Sequence, residues 1–105
     1  MNQAPQAIPS HLINDRYWKG TLHLFLNHGK LSRFLTDDFI DLQSARIAGD
    51  KLKRISAPWS QSEKFLLNLA LHLFNERHKV NLSDMDYLDP HNKALAFEAL
   101  RLRFG

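Results

Sequence analysis

Two histidines stand in the same four-residue phrase, LHLF at 22–25 and again at 71–74, and each copy is trailed by an asparagine, a histidine and a lysine. Two imidazoles brought face to face could share a metal ion or pass a proton. A metal site built on histidines also needs a third donor, and zinc sites draw ligand pairs from close local spacing. His23 and His28 are five residues apart and His72 and His78 six apart, so neither pair shares a helix face; His72 and Glu76 have the i, i+4 spacing, but one such pair is common by chance. At the helical period His23 falls in line with Arg16, Lys19 and Asn27, and His72 with Lys64, Asn68 and Asn75, while the neighbouring leucines and phenylalanines turn inward. The spacing therefore assigns both histidines to the polar edges of amphipathic helices. It points to no metal, no cofactor and no catalytic residue.

The acids offer two further patterns. DDFID at 37–41 is similar to the aspartate-rich D-D-x-x-D motif with which isoprenoid synthases hold magnesium and a diphosphate. That resemblance implies a magnesium-dependent enzyme using Asp37, Asp38 and Asp41 as hard oxygen ligands on adjacent helical turns. It spans five residues, and no second acidic site accompanies it. The same acids at the start of a helix would interact favourably with its dipole, and this is the reading adopted. SDMDYLD, with Asp84, Asp86 and Asp89, touches on a calcium-loop pattern, but the loop's glycine is missing, with Asp89 in its place, and Leu95 stands where its glutamate belongs. These acids read as turn chemistry.

WSQSEKFLLNLALHLF at 59–74 resembles the signature helix of ABC-type and SMC-type ATPases, in which a serine and the helix start meet a nucleotide phosphate. The chain has no G-x-x-x-x-G-K-[ST], and the glycine pair of that signature is absent, so no ATPase function follows. There is likewise no G-x-S-x-G and no H-E-x-x-H.

Surfaces that could hold a macromolecule remain. Arg46, Lys51, Lys53 and Arg54 form a modest basic patch, with Arg101 and Arg103 as a second group. They are the candidate nucleic-acid contacts of an alternative, regulatory reading, although KLKR surrounds Leu52 and Ile55, which belong to a core. Tyr17, Trp18 and Phe104 lie near element ends, where surplus aromatics can form a sticky face for a partner or a second copy. They are the candidate interface.

These residues have to be positioned by helices. Tyr17, Trp18, Leu22, Phe25 and Leu26 recur at steps near three and four, predicting a helix from Ser10 or Asp15 to His28, with Gly29 as a left-handed cap. Leu35, Phe39, Leu42, Ala45, Ala48, Leu52 and Ile55 continue the period. They predict a second helix, capped by Thr36 and divided near Gly49. Ser60 and Glu63 spell a capping box, Pro58 blocks helix upstream, and residues 65–74 are apolar around most of the circumference. Such a helix, about 61–77, belongs at the centre of a bundle. NLSDMDYLDP reads as a short turn capped by Ser83. Asp89 and Pro90 then open a last helix that supplies Leu95, Ala96, Phe97, Leu100 and Phe104 for burial. No stretch alternates at period two over a strand's length.

The bulk numbers agree with one all-α domain over 10–105, a bundle of four to five helices, preceded by a flexible arm over 1–9. A chain of 105 residues with 44% hydrophobic and 24% charged residues can bury a core. The absence of cysteine excludes disulfides and thiolate chemistry and favours a reducing cytosol. The N-terminus lacks a signal-peptide pattern and no run reaches a bilayer span, so a soluble cytoplasmic protein is expected. Net charge is +3, too small for a dedicated polycation. The expected function is binding to another protein or to itself, without catalysis.

Overall fold

The computed structural model describes residues 8–105. The organising element is the apolar helix, here α5, Gln61–Phe74. The Ser60 side chain accepts from the Glu63 amide at 3.2 Å, and the Glu63 carboxylate accepts from the Ser60 amide at 3.1 Å. This closes the capping box and satisfies two of the amides orphaned at a helix start. Phe65, Leu66, Leu67, Leu69, Ala70, Leu71 and Leu73 are buried around it.

Two long helices enclose α5. Asp15 caps α2, Arg16–Asn27, by accepting from the Tyr17 amide, and Asp89 caps α6, Pro90–Phe104, by accepting from the Asn92 amide. Helix α2 packs against both α5 and α6. Its approach to α6 is close because residue 20 has no side chain. A Cβ there would lie 2.6 Å from the Ala99 carbonyl oxygen and 2.9 Å from Leu73 Cδ1. One residue on, the buried Thr21 hydroxyl donates to the Ala70 carbonyl at 2.7 Å and ties α2 to α5.

Short elements complete the bundle: α1 (Ser10–Ile13), α3 (Gly29–Ser32), α4 (Gly49–Ile55) and a 3₁₀ turn over Leu82–Tyr87. The helix expected across 36–48 does not form. A two-stranded antiparallel hairpin stands there instead, β1 (Ile40–Asp41) and β2 (Arg46–Ile47), with Ile40 opposite Ile47 and Asp41 opposite Arg46. The Asp41 carboxylate accepts from the Gln43 and Ser44 amides, both at 3.0 Å, offering those amides a partner other than a helical carbonyl. The apolar residues nevertheless reach the core: Ile40 and Leu42 are buried in it, and Leu35, Phe39, Ala45 and Ile47 are partly buried against it.

Other boundaries also move. Gly29 opens α3 rather than ending α2 in a left-handed turn, and the His28 ring caps α3 by accepting from the Leu31 amide. Asn81, not Ser83, caps the 3₁₀ turn. Of the arm expected over 1–9, residues 1–7 lie outside the described residues, while Ile8 packs against the core. No helix among the described residues is long and apolar enough to cross a membrane.

Candidate protein-docking groove

Tyr17 and Phe104 are separated by almost the whole chain, yet both line one open groove of about 350 Å³. Tyr17 stands in the first turn of α2 and Phe104 at the last residue of α6. The opposite wall is the end of α5 and its exit, from His72 through Phe74 to Glu76. Between the two rings lies Arg103. Its guanidinium carbon is 4.4 Å from the Tyr17 centroid and 4.5 Å from that of Phe104, inside cation–π range. Arg16 approaches Tyr17 as well, at 5.2 Å from the ring, and donates to its hydroxyl at 3.3 Å.

Trp18, the third aromatic of the predicted face, is not part of this surface. It is 4% exposed and meets Phe74 edge-on at 5.0 Å. One residue along a helix turns the side chain by roughly 100°, which separates Tyr17 in solvent from Trp18 in the core. Trp18 thus backs Phe74, which itself lines the groove.

His72 lines the groove too. Its Nδ1 lies 2.8 Å from the His78 carbonyl oxygen, an atom that only accepts, so Nδ1 carries the proton. The bond folds the chain after α5 back onto that helix. His78 is itself buried, with its ring against Gly49: a Cβ at Gly49 would lie 2.7 Å from its Cε1 and Nε2. Burial first, then Lys53 and Arg77, pushes the His78 imidazole below its ordinary value, while Asp50 opposes the shift. Burial is also the main cause depressing His28, reinforced by His91 and Lys30 and opposed by Glu63 and Asp89.

The two halves of the LHLF repeat thus do separate work. His23 Nδ1 lies 3.3 Å from the Asn27 side-chain amide, within its own helix, whereas His72 fastens the exit of α5. No group of three His, Cys, Asp or Glu among the described residues could hold a metal ion. The DDFID acids do not sit on helical turns. Asp41 is held by its own hairpin loop, where hydrogen bonds from Ser44 keep its carboxyl below the ordinary range, and Asp37 and Asp38 are exposed on the preceding turn. Asp84, Asp86 and Asp89 stay local, on or beside the 3₁₀ turn.

The basic candidates gather at the hairpin and α4. Arg46, Lys51 and Arg54 are exposed, and Lys53 is half-buried. Lys51 lies over the Phe39 ring at 4.8 Å. Arg101 is engaged by Glu98 through two hydrogen bonds, at 2.9 and 2.6 Å, which separates it from Arg103 in the groove. Sequence spacing marks Tyr17 and Phe104 but not Arg103 or His72 as groove residues, because only the packing of α2, α5 and α6 brings residues so distant together.

No family model matches the chain, and no match is found among curated proteins or solved structures.

Proposed function

We propose that the protein acts by binding another protein through the groove between α2, α5 and α6, without catalysis. The observation that carries this reading is Arg103 stacked between the exposed rings of Tyr17 and Phe104 in a concave surface. Tyrosine and arginine are the residue types on which binding energy concentrates in protein interfaces, where they fill or frame pockets. The groove is large enough for an apolar side chain of a partner. Arg16 and Arg103 are unpaired with any acid among the described residues. A partner segment carrying carboxylates beside its anchor suits them.

Affinity capture tests the reading, comparing the wild type with Tyr17→Ala and Arg103→Ala from the cell that makes the protein. A protein retained by the wild type and lost from both variants supports it. Identical captures by all three overturn it. Both substitutions lie at half-buried or exposed positions, so the fold is expected to survive them.

A nucleic-acid reading rests on the second surface. Among the described residues Lys51, Lys53 and Arg54 form no salt bridge, while Arg46 faces Asp41 across the hairpin. It requires affinity that falls steeply with salt and weakens on charge reversal at Lys53 and Arg54. The lack of a gel shift at low salt removes it.

A further inference from the structure

Helix α6 is apolar on two opposite sides, and only one of them is covered. Leu95, Ala96 and Ala99 are buried against α2 and α5. Phe97 and Phe104, expected in the core from their types, are 60% and 65% exposed. At about 100° per residue they fall on the face opposite Ala99. With Ala94 and Arg101 they form a line at steps of three, four and three, the spacing of a coiled-coil seam.

We propose that this outer face of α6 is the contact between two copies of the chain, packed antiparallel about a two-fold axis passing beside residue 99. A two-fold contact must be self-complementary, residue i meeting j while j meets i. Alignment in opposite directions satisfies that condition in size and in charge. Each Ala94 receives the partner's Phe104, small against large. Each Arg101 falls across the partner's Phe97, cation over ring, and beside the partner's Glu98. In its own chain Glu98 already holds Arg101, so two reciprocal Glu–Arg pairs come together near the axis. Alignment in the same direction fails, because it sets Arg101 against Arg101 and leaves the alanines facing each other across a gap. Phe104 belongs to both surfaces, but Phe97 does not line the α2/α5/α6 groove, so Phe97→Glu tests the contact apart from the protein-binding reading.

The experiment is analytical ultracentrifugation of the full chain from micromolar to millimolar concentration, on wild type and Phe97→Glu. The expected result is a wild type that rises to twice the mass of one chain and a Phe97→Glu variant that remains at one, with unchanged circular dichroism. A wild type that remains monomeric throughout overturns the proposal, as does a dimer indifferent to Phe97→Glu. Direction is read separately, since the chain has no cysteine of its own. A variant carrying both Ala94→Cys and Phe104→Cys is expected to cross-link under oxidation, while Ala94→Cys alone is not. Efficient cross-linking of the single variant shows same-direction pairing and overturns the arrangement. Loss of partner capture by Tyr17→Ala with dimerisation intact would bear on the groove alone.

Discussion

The three long helices and the 36–59 segment share one apolar core but are fixed in it by different contacts. Between α2, α5 and α6 contact is a matter of volume: apolar side chains fill the space, and Gly20 lets two backbones approach where any Cβ would collide. In the 36–59 segment much of the order comes from polar and aromatic contacts over short range. The Asp41 loop closes a hairpin, Lys30 covers Trp59, and α4 is seated on the His78 ring at Gly49. The first region resists change through packing density, which is set by the shapes of the side chains. The second depends on local geometry and on the protonation of an imidazole.

That contrast can be broken most forcefully at residue 20. Gly20→Ala places a methyl group against the Ala99 carbonyl and Leu73, and overpacking of this kind costs about 2–3 kcal/mol, read as a lower urea midpoint. Gly49→Ala meets the His78 ring, a side chain that can yield, so a smaller loss of about 1–2 kcal/mol is expected. A further distinction is that the loss should shrink when His78 is also replaced by alanine, whereas the Gly20→Ala cost should not. Ala45, in the hairpin loop, has φ 57°, the left-handed region that favours glycine. Ala45→Gly is therefore expected to raise the melting temperature, by an amount corresponding to about 0.5 kcal/mol after the entropy lost to glycine.

The gentlest test is graded with pH. His28 and His78 are both depressed by burial. Above the ordinary histidine value both are neutral, folded or unfolded, and contribute no pH dependence. As pH falls through about 6.5 the unfolded chain takes up protons that the folded chain resists, so stability declines until the folded-state values are passed. Urea midpoints measured between pH 7.5 and pH 5, at values chosen around ~6.5, should decrease, and His78→Gln should flatten the slope. An unchanged slope would show that His78 does not contribute to this pH dependence.

Much of the helical body was legible because its signals are local. Ser60 with Glu63, Asp15, Asp89 and Pro90 announce helix starts within a few residues, and 65–74 is too apolar to lie anywhere but inside. The hairpin was illegible for the converse reason. Its apolar residues recur at helical steps, but Asp41 supplies the backbone with a competing partner, and the outcome depends on tertiary support rather than on period. Phe97 was misplaced by type alone, since its angle around α6 puts it opposite Ala99. The groove lay half in view. Tyr17 and Phe104 stand out as aromatics near element ends, while Arg103 reads as a surface charge until both rings are set beside it.

Arg103 also bears on how the groove would work. A long cationic side chain on an open surface normally wanders among rotamers, and a guest that uses it must first arrest it, at about 0.5–1.5 kcal/mol. Here the stacking of that side chain between two rings has been completed during folding. A visitor meets a charge already held in place between two rings, and its arrival should show a small entropic penalty by calorimetry.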